Sequence, residues 1–486
     1  MRLTLLHFND LHGRLDQLPR LFTLIQRERA QARQAGRPVL LLDAGDSSDR
    51  AHWDSDITKG RANYTLLEAM GVDATVIGNG EALQWGRRAL ARLVAAVRFP
   101  VLAANLVDCA EHDRLAVPGQ QAAVLLDCGG FTVGVVGVTQ DQGAGYERYG
   151  FCSVDPRPVL RREIDGLRAR GARLILLLSH LGLARSPEER QTWDTPTDYG
   201  DDLVPADFPE IAAIVGGHSH TALEQPLVVG QTVIVQAGDY GRFLGRLDLD
   251  VDDATGRVLA HAGRLIACGD DVPPDPTIAG TLELVREEAE RLLATRLGSA
   301  SDDLPHPIDQ CSPFGTRVAD ALRATCAADL AIFFNGFAHQ GLSAGPITRR
   351  DLYRALPGSA HVTAAQVTGA QIRRLVERML ASRYRTESFS PQRAAPPLGV
   401  PAASANVHLA YDLSANTLTA CVIDGLPLDD ARAYRLASTY YTLNDLTDQP
   451  EYDFIGLQPG QVVEMVRVEE VLWEVVEAWV KARGGM

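Results

Sequence analysis

The sequence lacks several features that would place it in a membrane or on a nucleic acid. No stretch of about 18 consecutive apolar residues occurs, so no segment reads as a membrane-spanning helix. The first residues, MRLTLLHFND, contain no basic region followed by an apolar region and a small-residue cleavage site. Acidic residues outnumber basic ones, 62 to 47, which gives a formal net charge of −15. We therefore expect a cytoplasmic protein without a membrane or nucleic-acid partner, because those partners attract basic surfaces.

Closely spaced cysteines are also absent. The seven cysteines are scattered over 486 residues, and no CxxC pair occurs. An odd, dispersed set in a large chain predicts reduced thiols, most of them in the core. A cysteine metal site is therefore not expected.

The chain is longer than one ordinary domain, and its composition, 46% apolar and 22% charged, is typical of a globular protein. Apolar strands and amphipathic helices alternate through its first half, which predicts a sheet with helices on both faces. The predicted strands are 3–8, 39–46, 73–79, 99–106, 174–182 and 212–220, and the predicted helices are 15–34, 65–70 and 87–97.

The pattern changes after residue 232. Residues 232–268 alternate as antiparallel strands do, and a charged helix is predicted at 283–297, where we place the domain junction. The second half is mixed: helices are predicted at 316–328, 347–357 and 369–384, a strand at 329–336, and a surface loop rich in Pro, Ala and Ser at 385–406.

Metal-ligand residue types follow five of the predicted strands. The motifs NDLHG, DAGDSS, GNGE, LSHLG and GGHSH supply Asp10, His12, Asp46, Asn79, His180, His218 and His220. Because the carboxyl ends of parallel strands share one edge of a sheet, we expect these side chains to converge. Two divalent ions about 3.5–4 Å apart can clamp a phosphoryl group and activate water, and mixed nitrogen and oxygen ligation suits Mn, Fe, Zn, Co or Ni.

Each of these motifs has an ordinary explanation when it is taken alone. Asp46 or Asn79 could cap a helix, and His180 could be a core histidine with satisfied hydrogen bonds. Five such motifs in one chain, each after an apolar strand, favour a single dinuclear metal site.

The motifs resemble those of the calcineurin-like metallophosphoesterases and, within them, the 5′-nucleotidase family. HFNDLHG, LLLDAGDSSDR, ATVIGNGE, LLLSHLG and IVGGHSHT follow the family's order, and FFNGFAHQGLSAGPITRRDLYRALP resembles its substrate-binding domain. The resemblance implies an α/β fold: a four-layered αββα catalytic domain at 1–272, a connector helix at 273–297 and a C-terminal 5′-nucleotidase-type α/β domain at 298–486.

The resemblance also implies how the candidate ligands divide between two ions. One ion would be held by Asp10, His12, Asp46 and His220, and the other by Asp46, Asn79, His180 and His218. Asp46 would then bridge the two ions.

Two positions next to these ligands depart from the family's pattern. Members usually carry a histidine where this chain has Gly80 and an aspartate where it has Leu83, and this dyad stabilises the transferring phosphoryl group. The chain resembles a cytoplasmic bacterial subgroup that lacks the histidine. Arg50 and His52, in SSDRAHW, are candidates for a replacement acid or phosphate clamp, and the alternative for Arg50 is a surface or ion-paired role.

The substrate-binding motifs depart as well. The arginine expected after the Asn335-Gly336 turn is not evident, and the one expected near CSPFG is missing. Members of the family hold the nucleobase between two aromatic side chains, and only Tyr452 or Phe454 could supply the second of them. Asn335, Tyr452 and Phe454 are therefore the candidate substrate-binding residues.

These features predict a metal-dependent phosphoesterase that acts on a small phosphate ester, foremost a nucleotide, through attack by a hydroxide that bridges the two ions. Two alternatives stay open. One is a phosphodiesterase for cyclic nucleotides, which is compatible with the lost mononucleotide clamps. The other is a catalytically silent metal- or ligand-binding protein, because Gly80 and Leu83 replace the usual dyad.

Overall fold

The computed structural model describes residues 1–184, 199–385, 397–443 and 454–486. They divide into two units, Met1–Ala289 and Glu290–Met486, and the division falls inside a helix at Pro276–Leu293. Among the described residues, no helix combines the length and the apolar character needed to cross a lipid bilayer.

The elements of the first unit alternate between strands and helices, as the sequence pattern predicts. Its strands are β1 (Arg2–Phe8), β2 (Val39–Asp43), β3 (Ala74–Val76), β4 (Val101–Leu102), β5 (Leu106–Asp108), β6 (Ala123–Asp127), β7 (Thr132–Thr139), β8 (Phe151–Ser153), β9 (Leu174–His180), β10 (Ala213–Gly216), β11 (Leu227–Val229), β12 (Thr232–Gln236), β13 (Phe243–Val251) and β14 (Val258–Ala267). Its helices are α1 (Leu18–Gln34), α2 (Trp53–Thr58), α3 (Arg61–Met70), α4 (Asn79–Ala96), α5 (Ala144–Glu147), α6 (Pro156–Ala169), α7 (Val204–Asp207) and α8 (Pro276–Leu293), with a 3₁₀ turn at Leu15–Gln17.

Two sheets pack face to face in this unit. In the described residues the first has the strand order β14-β13-β1-β2-β3-β4 and the second β11-β12-β10-β9-β7-β6. Leu5 and Leu42 from the first sheet share one buried cluster with Val135 and Leu178 from the second. Helix α1 packs on β1, β2 and β13, while α6 packs on β6 and β7 of the second sheet. The layers are therefore helix, sheet, sheet and helix, which confirms the predicted αββα arrangement.

The strand directions decide where the motifs lie. β1, β2 and β3 are parallel neighbours in the first sheet, and β9 and β10 are parallel neighbours in the second. All five are apolar strands buried along most of their length, so the polar residues that follow them lie at the carboxyl ends, where parallel sheets collect ligands.

Helix α4 begins earlier than the predicted 87–97. It starts at Asn79, because Gly78 stands at the N-cap in extended conformation and the carboxylate of Glu81 reaches back to the Gly78 N–H. The helix is interrupted at Gly86, whose φ of 75° lies in the left-handed region.

The prediction of reduced thiols is wrong for two cysteines. Cys109 and Cys152 form a disulfide, with Cα atoms 5.0 Å apart, while Cys128, Cys268, Cys311, Cys326 and Cys421 are free. The antiparallel pairing of β5 with β8 brings the two residues together. Sequence spacing does not reveal this pairing, because it depends on the tertiary fold.

The second unit contains a mixed sheet with helices. Its strands are β15 (Arg296–Ala300), β16 (Leu330–Phe334), β17 (Gly345–Thr348), β18 (His361–Thr368), β19 (Pro401–Ala403), β20 (Val407–Asp412), β21 (Thr417–Ile423), β22 (Leu426–Pro427), β23 (Ala433–Thr439) and β24 (Val463–Val471). Its helices are α9 (Pro313–Thr325), α10 (Arg349–Ala355), α11 (Gly369–Ser382), α12 (Tyr440–Leu443) and α13 (Leu472–Arg483), with a 3₁₀ turn at Asn335–Phe337. Within the described residues, its largest sheet has the order β19-β16-β23-β18-β24.

The charged helix and the loop predicted later in the chain also differ from the structure. The charged helix predicted at 283–297 runs from Pro276 to Leu293, because the Asp275 carboxylate accepts the N–H groups of Thr277 and Ile278 and so caps an earlier start. The loop predicted at 385–406 contains strand β19, and residues 386–396 of that segment lie outside the described residues.

Candidate metal centre

Two overlapping groups of ligand-type side chains lie at the strand ends of the first unit. Asp10, His12 and His220 form one group, and Asp10, Asp46 and His180 form the other. Within each group the ligand atoms lie within 4.8 Å of one another.

The spacing in the first group fits a small divalent ion. Nε2 of His12 lies 3.1 Å from Nε2 of His220 and 3.7 Å from Oδ1 of Asp10, and His220 Nε2 lies 3.4 Å from the same oxygen. Ligand atoms that bind one ion at about 2.0–2.2 Å lie about 3–3.5 Å from each other.

The second group extends to the two remaining predicted ligands. Oδ1 of Asn79 lies 3.2 Å from Nε2 of His180 and 2.9 Å from Nδ1 of His218. Oδ2 of Asp46 lies 3.4 Å from Nε2 of His180 and 3.8 Å from Nε2 of His12. A single carboxylate oxygen therefore faces both groups, and the structure brings all seven predicted ligands together.

Three of the histidines are oriented by a second partner on the far side of the ring. Metal-binding histidines usually direct the other ring nitrogen to a carboxylate or a backbone carbonyl, which fixes the tautomer. Here the partners are Asp49 Oδ2 for His12 (3.0 Å), Asp239 Oδ2 for His220 (3.2 Å) and the Ala44 carbonyl for His180 (2.7 Å). Sequence reasoning missed the two aspartates, although Asp49 lies in the quoted motif LLLDAGDSSDR and Asp239 lies in the segment AGDYG that follows β12.

The carboxylates are oriented in the same way. Oδ2 of Asp10 accepts hydrogen bonds from Nδ2 of Asn9 (2.6 Å) and from the backbone N–H of His218 (3.0 Å). Oδ1 of Asp46 accepts from the backbone N–H of Gly80 (2.6 Å). These bonds leave Oδ1 of Asp10 and Oδ2 of Asp46 directed at the two groups.

Glu81 is a further residue that sequence reasoning left without a role. Its buried carboxylate accepts hydrogen bonds from the backbone N–H groups of Asp46, Ser48 and Gly78 and from the Ser48 hydroxyl, at 3.0–3.1 Å. It therefore ties the loop that carries Asp46 to the first turn of α4, which carries Asn79.

The backbone of the candidate ligands is strained. Asp10, His12, Asp46, His218 and His220 all have φ values between 45° and 69°. This left-handed conformation costs a non-glycine residue about 1–2 kcal/mol. Strain of this kind clusters at functional sites, so five strained residues in one centre favour a functional explanation.

The electrostatics suit cations. Burial disfavours a charged imidazole, but the facing carboxylates outweigh it, so that Asp46 raises the pKa of His180 to about 9 and Asp10 raises the pKa of His220 to about 10. Burial also opposes ionisation of Asp46, yet His180 and His12 lower its pKa to about 2. The centre thus stabilises positive charge on His180 and His220, and divalent ions would take the place of those protons. Donor types, spacing and orientation fit two such ions.

The comparisons with known proteins agree with this geometry. The model of the calcineurin-like phosphoesterases matches residues 3–222, and the model of the 5′-nucleotidase C-terminal domain matches residues 297–450. The chain belongs to the 5′-nucleotidase family of calcineurin-like phosphoesterases. This family consists of hydrolytic enzymes.

Curated relatives are identical to this chain at about a quarter of the aligned positions. The uncharacterized metallophosphoesterase YunD of Bacillus subtilis is 27% identical over 357 residues, which are 73% of either chain. The 5′-nucleotidase of Mus musculus is 28% identical over 337 residues, which are 61% of this chain and 54% of the mouse protein. The match thus spans about half of the mouse protein's length.

Among solved structures, a 5′-nucleotidase precursor from Thermus thermophilus has the same fold. It superposes with a TM-score of 0.52 at 22% identity and covers 100% of this chain and 97% of its own.

The family's usual histidine and aspartate positions carry no polar side chain here. Gly80 is buried, and a Cβ at this position would lie 3.0 Å from Oδ1 of Asp46. A Cβ at Gly78 would overlap the same oxygen. Leu83 lies further along the same helix, where its side chain is partly buried.

The structure separates the two candidates for a replacement group. Nη1 of Arg50 binds Oδ1 of Asp56 at 2.9 Å, its Nε donates to the Gln84 carbonyl at 2.6 Å, and its guanidinium stacks on Trp85. These contacts favour the ion-paired explanation for Arg50. His52 instead lies against Gly13, next to His12, and its catalytic role stays a prediction.

The candidate substrate residues of the second unit are held in its interior. Asn335 is buried and its Nδ2 donates to the carbonyls of Pro307 and Gln310. Phe454 is 2% exposed and packs edge-on against Phe334, with ring centroids 5.1 Å apart. This is the environment of a core aromatic residue. Tyr452 lies outside the described residues, and substrate binding by all three stays a prediction.

Proposed function

We propose that this chain hydrolyses phosphate esters, foremost a nucleotide, at a centre of two divalent ions held by Asp10, His12, Asp46, Asn79, His180, His218 and His220. The observation that carries the proposal is the position of Asp46 Oδ2, 3.4 Å from His180 Nε2 and 3.8 Å from His12 Nε2. A carboxylate oxygen between two sets of nitrogen ligands is the arrangement that a dinuclear centre needs.

The bound ions would supply Lewis acidity and an activated water at neutral pH. The chain's own groups position these functions. Asn9 and the backbone N–H of Gly80 direct the two carboxylates, and Asp49 and Asp239 keep His12 and His220 in one tautomer. Because these contacts are formed before any substrate binds, the centre needs little reorganisation during the reaction.

The nucleotide substrate is supported by the family assignment. The model of the 5′-nucleotidase C-terminal domain matches most of the second unit, and several relatives are named 5′-nucleotidases. The metal choice among Mn, Zn, Fe, Co and Ni is open, because nitrogen and oxygen ligands suit all of them.

A panel assay tests the proposal. The 486-residue chain loaded with Mn²⁺ is given nucleoside 5′-monophosphates, p-nitrophenyl phosphate and bis(p-nitrophenyl) phosphate. We expect turnover of monoesters that is lost in Asp46→Ala and retained in Asp165→Asn, a control on the exposed face of α6.

The other outcomes separate the alternatives. Preferred turnover of the diester would make the protein a phosphodiesterase. Bound metal without turnover of any ester would favour the silent binding protein. Turnover that persists in Asp46→Ala would contradict the proposed centre.

A further inference from the structure

Three buried polar atoms at the end of β7 form no hydrogen bond of normal geometry with the described part of the chain. They are the hydroxyl of Thr139, Oε1 of Gln140 and the hydroxyl of Tyr146. Thr139 and Tyr146 are both 0% exposed. Buried polar atoms without hydrogen bonds are rare in folded proteins, and each requires an explanation.

These atoms border the candidate metal centre. Thr139 is the register partner of His180, and the backbone N–H of Gln140 donates to the His180 carbonyl at 3.1 Å. Tyr146 lies on α5, which packs against α4. A Cβ at Gly145 would lie 3.5 Å from Cδ2 of Leu83, so α5 covers the first turns of α4.

That part of α4 provides no donor from its own side chains at positions 80 and 83, which are glycine and leucine. Burial raises the pKa of Tyr146 well above its ordinary value. The neighbouring Thr139 hydroxyl lowers this pKa, while the charges of Asp46 and Glu81 add to the rise, so the phenol keeps its proton. It is therefore available as a hydrogen-bond donor.

The segment that carries Tyr146 is held firmly. The tyrosine ring meets the ring of Phe151 edge-on, with centroids 6.4 Å apart. Phe151 begins β8, which the disulfide between Cys152 and Cys109 joins to β5. A donor that is fixed in place before the reaction stabilises developing charge most effectively.

We propose that the Tyr146 hydroxyl donates a hydrogen bond to the leaving oxygen of a phosphate ester bound at the candidate metal centre. The inference depends on the proposed hydrolysis. In that reaction a water oxygen bonds to phosphorus, the P–O bond to the leaving group breaks, and the leaving oxygen gains its proton by way of solvent. Tyr146 keeps its own proton throughout. The side chain of Tyr146 is as buried as those of the candidate ligands Asp10 and His180, which are also 0% exposed.

Tyr146→Phe removes only the hydroxyl, and comparing substrates with different leaving groups tests the proposal. We expect the turnover number for nucleoside monophosphates to fall about 10²-fold, a typical loss for one such donor. Turnover of p-nitrophenyl phosphate should fall much less, because p-nitrophenolate leaves without assistance.

Tyr149→Phe is the matched control. Tyr149 is also buried, and its ring tilts against the same Phe151. This variant should keep the wild-type ratio between turnover of nucleoside monophosphates and turnover of p-nitrophenyl phosphate. Equal losses for both substrates in Tyr146→Phe, or no loss, would overturn the proposal.

Calorimetric binding of inorganic phosphate to the Mn²⁺-loaded proteins separates this inference from the proposed function. One phosphate oxygen takes the place of the leaving oxygen, so Tyr146→Phe should bind phosphate about 2–10-fold more weakly, the value of one hydrogen bond. If the wild-type protein turns over no ester, the proposed function fails and this binding difference alone decides the role of Tyr146. Equal phosphate affinity in both proteins would overturn the inference even if the enzyme is active.

Discussion

Individual residues at the candidate metal centre are placed by partners that bind no metal themselves. The loop after β2 carries Asp46 in a strained conformation, with a φ of 51°, and this loop has to be held against relaxation. Glu81 does this with a carboxylate that accepts four hydrogen bonds. Burial and the charges of Asp46 and Asp43 raise the pKa of Glu81 to about 7. The position of the Asp46 carboxylate therefore depends on the Glu81 carboxylate.

Replacing Glu81 tests this dependence. In Glu81→Gln one carboxylate oxygen becomes an amide NH₂ that faces N–H donors, so we expect a loss of about 1–3 kcal/mol in the free energy of unfolding. We also expect Mn²⁺ affinity to fall about 10–100-fold, as for other partners of metal ligands. Calorimetry and chemical unfolding measure the two effects, with the exposed Glu283→Gln on α8 as the control. Wild-type Mn²⁺ affinity in the Glu81→Gln variant would show that Glu81 does not position the centre.

At the level of elements, the carboxyl end of β9 is hydrogen-bonded to a buried acid in the segment before α7. The Ser179 hydroxyl, one residue before His180, donates to Oδ1 of Asp201. Asp201 is 1% exposed, and burial together with the charge of Asp202 raises its pKa to about 7. The ordinary pKa of this carboxyl group is 3.8, so folding favours its protonated form.

The stability of the protein should therefore depend on pH through Asp201. The folded state holds the proton up to about pH 7, whereas the unfolded chain releases it near pH 4. The free energy of unfolding of the wild type, relative to that of Asp201→Asn, should decrease by at most about 4 kcal/mol as pH rises from 4 to 7. Above pH 7 this difference should stay constant. Chemical unfolding of both proteins between pH 4.5 and 8, with Asp165→Asn as the control, measures this difference. A difference that stays constant over that range would disprove the shift.

Elements also show how far sequence reasoning reaches. The alternation of apolar strands and helices predicted a sheet with helices on both faces, whereas the structure has two sheets that pack face to face. The αββα layers were implied by the family resemblance, and the residue types at five strand ends predicted the group of seven ligands. The start of α4 at Asn79 was missed, because a glycine N-cap has no side-chain oxygen and so lacks the Ser or Thr that usually marks a capping box with Glu three residues later. The disulfide, Asp49 and Asp239 were missed because their partners are distant along the chain or lie on another strand.

For the whole molecule, the division into two units has a thermodynamic consequence. The seven candidate ligands all belong to Met1–Ala289, and none belongs to Glu290–Met486. A ligand that binds only the folded state stabilises the unit that holds it. Metal should therefore stabilise the first unit and leave the second unchanged.

Chelation tests this consequence. Adding EDTA to the Mn²⁺-loaded full chain should lower the unfolding temperature of the transition that belongs to the first unit and leave the other transition in place. Scanning calorimetry gives the two temperatures, and hydrogen exchange of peptides from each unit assigns them. An equal shift of both transitions, or none, would be inconsistent with a metal centre confined to the first unit.

The central claim is a working centre of two ions, and one titration tests it most directly. The metal-free 486-residue chain is titrated with Mn²⁺ while turnover of nucleoside monophosphates and bound metal per chain are measured together. The account predicts that turnover rises with the metal content and reaches its plateau at two bound ions per chain. A plateau at one ion, or no turnover at two, would contradict it.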